Sequence, residues 1–437
     1  MMDGQKISAI FGSSKSKIDK SKIGFVLDID GVFLKGKEVI EGTPEALQIL
    51  LRNKIPFVFV TNGGGVSESQ KASDISRLLD IECSSDMVLL SHSPFQNLAS
   101  AYKDKRVMVV GSRGCDDVAR AYGFNKVVTS KQLLLEAPSS FKQIRTADMQ
   151  NSHPHNPHFS AQSDHPKEPV VAAFVIGDPH EWALDLQMLT DQLRKVKEVE
   201  GIERIEDSGG DVKEQDTANA VSIDIDTRTG EEATLSSPLP SPAWEYDAAH
   251  IGCGDTRFTG PAQRIPLFAS NADLVYTNEH THARYTQGAF THALKGLYEA
   301  VEGPLTVHYC GKPFSIQYRT AETMLQRRRA VLHPQPSSSF SPSTSTGDKD
   351  DGESYSETEI KTGIDIEIEE YSQITHFIGV GDNPLADIRG ANDAGANWRS
   401  VLVRTGVWVS SADNCESHPA SLVAGNVLDA VKALGLE

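Results

Sequence analysis

Two carboxylates near the start of the chain directly follow an apolar stretch. Asp28 and Asp30 are separated by one residue and come after the run that ends at Leu27. Such a run is typical of a buried strand, and open α/β sheets bind ligands at the carboxyl ends of their strands. One carboxylate can attack phosphorus as a nucleophile, and a second one two residues along points to the same side and can carry a proton. Taken alone, the pair could be a strand that runs into an acidic turn, but together with the segments described next it indicates phosphoryl transfer, with Asp28 as nucleophile and Asp30 as general acid and base.

Five further polar residues complete this predicted site. Thr61 and Asn62 follow the apolar run 55–60 and would supply a hydroxyl and backbone N–H groups to phosphoryl oxygens. Lys312, between a glycine and a proline, would add a positive charge to the same oxygens. Asp382 follows the apolar run 374–381, and Asp387 comes about one helical turn later. Taken alone, Asp382 could cap a loop and Lys312 could be a surface lysine, but the order of all four segments favours a common site.

A metal ion is expected at this site because both carboxylates and the phosphate are negative. Mg²⁺ prefers oxygen ligands and keeps several waters. The predicted ligands are Asp28, the main chain of Asp30, and Asp382. Asp387 would hold a metal-bound water or orient Lys312.

The elements that must position these residues are strands and helices in alternation. An apolar run ending at Leu27, a helical pattern from 43 to 51 and the run 55–60 have the spacing of a βαβ unit with a parallel sheet. Apolar runs at 106–110 and 170–176 also end in glycine and predict a second α/β unit in the middle of the chain. The fold class is therefore α/β, with a Rossmann-type parallel sheet as core.

The predicted domain organisation divides the core into three parts. A first core part is interrupted by a cap with low-complexity insertions near 139–168 and 205–262, and an acidic Ser/Pro-rich insertion is expected to be disordered. The predicted segments are a flexible N-terminus (1–21), the first core part (22–84), the cap (85–300), the second core part (301–332), the acidic insertion (333–372) and the third core part (373–437).

Composition limits the partners of the chain. With 42 basic and 60 acidic residues the formal net charge is -18, and such a field repels nucleic acid. The five cysteines are scattered and do not predict a disulfide framework or a zinc site. No apolar run approaches the roughly 18 residues of a membrane span. The expected partner is a small phosphorylated substrate, and the chain could also form a homo-oligomer.

The four segments together resemble motifs one to four of the haloacid dehalogenase (HAD) superfamily. They are D-x-D-G-V from Asp28, T-N at Thr61, G-K-P around Lys312, and G-D-N-P-x-x-D-I around Asp382. The long interval between the second and third motifs resembles class IIA, which implies a three-layer core with an α/β cap inserted at that point. The resemblance implies a Mg²⁺-dependent phosphatase with the residue roles given above.

Segments of the predicted cap resemble a narrower group. The stretch from Asp178 to Trp182 and Gly288-Ala289-Phe290 are similar to the subgroup named after the cat eye syndrome critical region protein five. Several members of that subgroup are mitochondrial, which implies a mitochondrial location here, although residues 1–22 are a weak targeting signal and a cytoplasmic location is the alternative. Asp178 and Trp182, which the prediction places on the cap, are candidate substrate contacts.

Other functions remain open at this point. A phosphotransferase would use the same residues and pass the phosphoryl group to an alcohol. A non-catalytic binding or scaffold protein could keep the fold and use the acidic insertion for docking. Dehalogenase chemistry has no use for a second acid at Asp30, and a receiver domain lacks an acid two positions after its nucleophile.

Overall fold

The computed structural model describes residues 19–141, 168–194, 259, 261–276, 280, 282–334, 373–408 and 410–436. The predicted flexible N-terminus and the three predicted insertions lie almost entirely outside these ranges. Two parallel sheets and the cleft between them lie within the described residues.

The regular elements alternate between strand and helix along most of the chain. The strands are β1 (Ile23–Leu27), β2 (Leu34–Lys35), β3 (Glu38–Val39), β4 (Phe57–Thr61), β5 (Val88–Leu90), β6 (Arg106–Gly111), β7 (Lys126–Thr129), β8 (Ala172–Ile176), β9 (Leu267–Ala269), β10 (Val275–Tyr276), β11 (Arg284–Tyr285), β12 (Val307–Tyr309), β13 (His376–Gly381), β14 (Trp398–Val403) and β15 (Leu422–Ala424). The α-helices are α1 (Thr43–Arg52), α2 (Glu68–Leu79), α3 (Ala99–Tyr102), α4 (Cys115–Ala121), α5 (Ser130–Glu136), α6 (Trp182–Leu193), α7 (Gln287–Val301), α8 (Ser315–Leu332), α9 (Arg389–Asp393) and α10 (Val427–Ala433).

Six parallel strands form the core sheet, in the order β15-β14-β13-β1-β4-β5. β1 lies between β13 and β4, so that the ends of these three strands are neighbours. Successive side chains of β1 point to opposite faces: Phe25 and Leu27 pack into one apolar cluster, and Val26 packs into another. Because both faces are buried, the strands are continuous apolar runs without alternation.

Helices cover both faces of the core sheet. α1, α2 and α10 contribute to the cluster that contains Phe25, and α8 and α9 contribute to the cluster that contains Val26. The predicted three-layer α/β class is therefore confirmed. α8 is the longest of the described helices, with 18 residues, and its last turns carry three consecutive arginines. Among the described helices, none is both long and apolar enough to cross a membrane.

The cap is a second parallel sheet, in the order β12-β9-β8-β6-β7. It is also buried on both faces. α5, α6 and α7 pack on one face of this sheet, and α3 and α4 pack on the other. β6 has β7 on one side and β8 on the other, so the direction of winding changes between β6 and β8.

Two short strands correct the predicted limits of the cap. β5 was expected inside the cap, but it pairs with β4 at the edge of the core sheet. β12 was expected in the core, but it pairs with β9 at the edge of the cap sheet. Each of these strands has three residues, which is too short for a periodic pattern to reveal its sheet. The cap sheet therefore extends from Arg106 to Tyr309 rather than from 85 to 300.

Two small hairpins stand at the boundary between core and cap. β2 and β3 form a hairpin directly after Asp30 on the core side. β10 and β11 form a hairpin on the cap side, and Val275 and Tyr276 on it are about half exposed. Residues 271–274 form a loop that leads into this hairpin, and the buried cap strand is β9, a few residues earlier.

Candidate active site

The carboxyl ends of β1, β4 and β13 meet at one edge of the core sheet and face the cap. Asp28 follows β1, Thr61 ends β4, and Asp382 follows β13. A cleft of about 350 Å³ lies over this edge and is lined from both sides. The structure therefore brings together the residues predicted from the four sequence segments, and Lys312 and Asp387 lie among them.

Lys312 is the centre of a buried charge cluster. Its Nζ lies 2.5 Å from Asp28 Oδ1 and 2.7 Å from Asp387 Oδ1. Nζ also donates a hydrogen bond of 3.1 Å to the carbonyl of Val60, at the end of β4. The lysine is only 4% exposed, so these three oxygens hold its ammonium group out of bulk water.

Asn62 holds the backbone of Lys312 with both ends of its amide. Its Oδ1 accepts from the backbone N–H of Lys312 at 2.8 Å, and its Nδ2 donates to the carbonyl of Lys312 at 2.9 Å. Nδ2 also donates to Asp273 Oδ2 of the cap at 2.8 Å. Since the side chain is fully used, the contribution of Asn62 to phosphate binding would come from its backbone N–H.

Thr61 keeps a donor for the cleft. Its Oγ1 accepts from the backbone N–H of Gly63 at 3.0 Å and the residue is 2% exposed. Because the hydroxyl oxygen accepts this bond, the hydroxyl hydrogen can point to an incoming phosphoryl oxygen.

The two acids after β13 are fixed by backbone donors. Asp382 Oδ2 accepts from the N–H of Val407, and Asp387 Oδ2 accepts from the N–H of Asn383. The chain approaches Asp382 very closely: a Cβ added at Gly31, where φ is +88°, would lie 2.3 Å from Oδ2. A side chain at this position would therefore displace the carboxylate.

The electrostatics of the cluster show an excess of buried negative charge. Burial raises the pKa of Asp28 well above its usual value; Lys312 opposes this shift and Asp387 adds to it. Burial, followed by repulsion from Asp387, raises the pKa of Asp382 to about 7. Burial alone would lower the pKa of Lys312, but Asp28 and Asp387 outweigh it and hold this pKa well above its usual value. One lysine does not compensate three carboxylates.

This donor set fits a divalent cation. Asp28, Asp382 and Asp387 each offer one carboxylate oxygen, and these oxygens lie within 4.8 Å of one another. Oxygen ligands with several negative charges are what Mg²⁺ and Ca²⁺ require. Asp387, predicted to lie behind the metal, belongs to this group, whereas the side chain of Asp30 does not.

Asp30 lies at the open side of the cleft. It is exposed, it lines the cleft with Asp28, and its backbone pairs with Leu34 at the base of the β2–β3 hairpin. Its carboxylate is therefore near the nucleophile and accessible to solvent.

The two candidate residues of the cap have different positions. Asp178 lines the cleft, and its Oδ1 accepts from Thr286 Oγ1 at 2.6 Å and from the N–H of Gln287 at 2.8 Å. It thus caps α7, and not the helix that follows it in sequence. Trp182 is not among the cleft-lining residues, because its Nε1 donates to Pro179 and its ring packs edge-on against Phe290. The predicted substrate contact of Trp182 is therefore corrected to a role in cap packing.

Sequence reasoning missed most of the cap residues that line the cleft, among them Asp273 and Tyr276. Asp273 accepts from Asn62, and Tyr276 lies on the β10–β11 hairpin. The sequence feature that could have pointed to this segment is Asn271, a polar residue directly after an apolar run. Its Oδ1 accepts from the N–H of Asp273 two residues later, in a turn that such polar side chains commonly form.

Two family models match the chain, one from the first core part into the start of the cap and one over the last core part. The model described as haloacid dehalogenase-like hydrolase matches residues 25–125, and the model described as HAD-hydrolase-like matches residues 360–430. The chain is a haloacid dehalogenase-like hydrolase. The first match contains Asp28 and Thr61, and the second contains Asp382 and Asp387. In this HAD hydrolase the cap lies between Asn62 and Lys312, which is the predicted class IIA arrangement.

Relatives extend the match across most of the chain. A mitochondrial hydrolase of Saccharomyces cerevisiae is 29% identical over 416 residues, which are 94% of this chain and 94% of that protein. A cardiolipin synthase (CMP-forming) / mitochondrial hydrolase fusion protein of Schizosaccharomyces pombe is 26% identical over 96% of this chain and 54% of its own length. Sugar-phosphatase AraL of Bacillus subtilis is 33% identical over 26% of this chain and 41% of its own length.

Solved structures of low sequence identity resemble the chain in outline. A 4-nitrophenylphosphatase from Thermotoga maritima has a TM-score of 0.46 at 14% identity and covers 95% of this chain and 98% of its own. A hypothetical protein from Pyrococcus horikoshii has a TM-score of 0.49 at 15% identity, with 94% and 99% covered. The family matches confirm the predicted superfamily and the enzyme class, a phosphatase-type hydrolase. The narrower cat eye syndrome subgroup stays a prediction.

Proposed function

We propose that this HAD hydrolase dephosphorylates a small phosphorylated metabolite through a phosphoaspartyl intermediate on Asp28, with Mg²⁺ as cofactor. The observation that carries the proposal is the contact of Lys312 Nζ with both Asp28 and Asp387 in a buried cluster at the base of a cleft. This cluster sets a carboxylate beside a fixed positive charge, which is what attack on an anionic phosphoryl group requires.

The first step transfers the phosphoryl group to the enzyme. A carboxylate oxygen of Asp28 attacks phosphorus, and the bond between phosphorus and the alcohol oxygen breaks. The electron pair of that bond stays with the departing oxygen, and Asp30 gives it a proton. The products are a neutral alcohol, a phosphoaspartyl residue and an ionised Asp30. The solvent-accessible position of Asp30 beside the nucleophile suits this role.

The second step returns the enzyme to its starting state. Asp30 takes a proton from water, and the water oxygen attacks phosphorus. The bond between phosphorus and Asp28 breaks, the electron pair returns to the Asp28 carboxylate, and inorganic phosphate leaves. The proton that Asp30 gave to the alcohol is thus replaced from water, so the cycle balances.

Three groups would hold the phosphoryl oxygens in both steps. The hydroxyl of Thr61 and the backbone N–H of Asn62 would donate to these oxygens, and the ammonium of Lys312, whose three N–H bonds are directed to Asp28, Asp387 and Val60, would add positive charge beside them. Donors fixed in advance stabilise the charge that develops at phosphorus without a cost for reorienting. The two hydrogen bonds between the side chain of Asn62 and the backbone of Lys312 would keep these two residues at a constant separation.

Mg²⁺ fits the excess of negative charge at Asp28, Asp382 and Asp387, which would hold it. When bound, it would supply positive charge to the phosphoryl oxygens and offset their repulsion by the carboxylates. Because a ligand that binds only the folded state stabilises it, saturating Mg²⁺ should raise the melting temperature, and about 100-fold excess over Kd corresponds to roughly 3 kcal/mol.

Thermal unfolding with increasing Mg²⁺ checks this expectation without an activity assay. Asp382→Asn should lose most of the increase in melting temperature, because it removes a charged ligand oxygen. Asp413→Asn, which changes an exposed acid away from the cleft, should keep the full increase. An equal increase in both variants and the wild type would contradict the proposed metal site.

Asp30→Asn should separate the two chemical steps. The p-nitrophenolate ion leaves readily without a proton, so the first step should still proceed with p-nitrophenyl phosphate. The second step should slow by roughly 10²–10⁴-fold because no base remains to activate water. Stopped-flow absorbance should then show a burst of about one nitrophenolate per enzyme, followed by slow turnover. Steady-state rates equal to the wild type would argue against Asp30 as acid and base.

A mitochondrial location is part of the proposal. It is supported by the relatives from the two yeasts, whose names include a mitochondrial hydrolase. The sequence segment that could carry a targeting signal lies outside the described residues. Import of the full-length chain into isolated mitochondria, with protection from added protease, tests the location. The expected homo-oligomer stays a prediction that light scattering can test.

A further inference from the structure

The cleft carries an unusual balance of charge on its described walls. Its acidic residues far outnumber its basic ones, and Lys312 is the one lysine or arginine among the described lining residues. The acids are Asp28, Asp30, Asp178, Asp273, Asp382 and Asp387. Asp30 carries a proton before the first step, and a divalent cation at the base together with Lys312 would offset three of the other five formal charges. The cleft therefore stays negative when it is ready for substrate.

The lysine is not available to a second anionic group. Its Nζ already contacts Asp28 and Asp387, and the side chain is buried beneath the phosphate-binding position. A carboxylate or second phosphate on the substrate would have to lie higher in the cleft, toward the cap. There it would meet no lysine or arginine among the described residues that line the cleft.

The cap side of the cleft adds negative charge at that position. Asp178 is exposed, and its carboxylate is fixed by the two donors at the start of α7. Asp273 lies deeper, where burial raises its pKa and the amide of Asn62 opposes the shift. The exposed and fixed Asp178 is therefore the main charge that faces the part of the substrate beyond its phosphate.

The other cap residues that line the cleft are uncharged: Asn271, Thr286 and Gln287 are polar, and Val275 and Tyr276 are apolar or aromatic. Val275 and Tyr276 on the β10–β11 hairpin line the cleft and are 47% and 44% exposed. Such side chains gain from contact with carbon or with a cation, and they offer an anion little in place of its water.

We infer that the substrate is a phosphate monoester whose leaving alcohol carries no negative charge, and that Asp178 is a residue that determines this specificity. The inference rests on the proposed phosphatase function and names the substrate class of the same site. Esters of neutral alcohols and of cationic alcohols are both expected substrates, because neither alcohol adds negative charge to the cleft. Esters with an additional carboxylate or phosphate are excluded, because like charges in a cleft of reduced dielectric repel each other strongly.

Three aryl phosphates that differ only in charge test the inference. They are 4-ethylphenyl phosphate, 4-(carboxymethyl)phenyl phosphate and 4-(aminomethyl)phenyl phosphate, in which a methylene group separates the charge from the ring. With Mg²⁺, kcat/KM for the carboxylate ester should be about tenfold or more below that of the neutral ester. The ammonium ester should equal or exceed the neutral one. Added salt should reduce the differences in kcat/KM among the three esters, because it screens the charge of the cleft.

A pair of variants assigns the effect to Asp178. Asp178→Asn keeps an oxygen that can cap α7 but removes the charge, so it should raise the relative kcat/KM for the carboxylate ester several-fold. Asp117→Asn removes an exposed charge of cap helix α4 that does not line the catalytic cleft, and it should leave the ratio as in the wild type. Melting curves of both variants confirm that they are folded.

The possible outcomes separate the two proposals. Equal kcat/KM for the carboxylate and neutral esters would overturn the inference and leave the phosphatase function intact. A wild-type preference that Asp178→Asn and Asp117→Asn change equally would overturn the role of Asp178. No hydrolysis of any of the three esters, nor of p-nitrophenyl phosphate, would instead contradict the proposed function itself.

Discussion

Asp28→Asn should abolish turnover of p-nitrophenyl phosphate, with kcat lower by roughly three orders of magnitude or more. The amide has the shape of the carboxylate but cannot attack phosphorus. The variant should fold, with a stability equal to or slightly above that of the wild type. Burial raises the pKa of Asp28, so the ionised carboxylate is unfavourable in the metal-free folded protein and the neutral amide is not. Initial rates with Mg²⁺, measured beside a melting curve, test both parts of this prediction.

A control variant must show that the loss of activity is caused by the substitution at Asp28 and not by the preparation of the protein. Asp413→Asn, made and purified in the same way, should retain the wild-type rate because its acid is exposed and distant from the cleft. After brief incubation with ³²P-labelled substrate and acid quenching, the wild type should carry label and Asp28→Asn should not. Equal rates for Asp28→Asn and the wild type would rule out Asp28 as nucleophile.

Lys312→Met should cause the largest loss of stability among single substitutions in the site. It leaves the buried carboxylates of Asp28 and Asp387 without their positive partner, and removal of one partner from a buried pair costs about 3–5 kcal/mol. Activity should also fall sharply because the charge next to the phosphoryl oxygens is lost. Urea unfolding of metal-free protein at neutral pH measures the change in the free energy of unfolding.

The pH dependence of this variant distinguishes charge from packing. A carboxyl group whose pKa is higher in the folded than in the unfolded state binds a proton on folding, so its contribution to stability falls as pH rises through that interval. In the metal-free wild type this applies to Asp28, whose pKa burial raises well above its usual value, and to Asp382, between its ordinary pKa of 3.8 and about 7. The loss in Lys312→Met should therefore shrink as the pH is lowered toward 4. A loss that is independent of pH would indicate a packing defect.

A surface ion pair provides the matched comparison for Lys312. Lys126 Nζ lies 2.6 Å from Glu168, but both side chains are about half exposed. Exposed pairs contribute about 0–1 kcal/mol, so Lys126→Met should change the free energy of unfolding by less than that. A similar loss in the two variants would contradict the argument from burial.

The core of the fold and three of its site residues could be predicted because each of the three lies at the end of a long apolar strand. β1, β4 and β13 are continuous apolar runs, and a polar residue directly after such a run stands out in the sequence. Parallel pairing then places these ends at one edge, which brings Asp28, Thr61 and Asp382 together without any knowledge of the loops.

The cap side of the site could not be predicted in the same way. β5 and β12 have three residues each, so no pattern assigned them to their sheets. Asp273 lies in a loop and Tyr276 on a strand of two residues, so neither has a periodic context. The contact of Trp182 with Phe290 and the double hydrogen bond of Asn62 to Lys312 join residues far apart in sequence, and a local pattern contains no information on such pairs.

The position of Lys312 at the end of a cap strand has a consequence for synthesis on the ribosome. Asp28 leaves the ribosome 284 residues before Lys312, which directly follows β12 at the edge of the cap sheet. Until the cap strands have emerged and paired, the nascent core holds an acid without its counter-ion. Because domains emerge and fold as units from the N-terminal side, the cap must assemble before the lysine reaches its place. Because β13, β14 and β15 of the core sheet follow Lys312 in the chain, Asp387 joins the cluster last, and completion of the charge cluster marks the end of maturation.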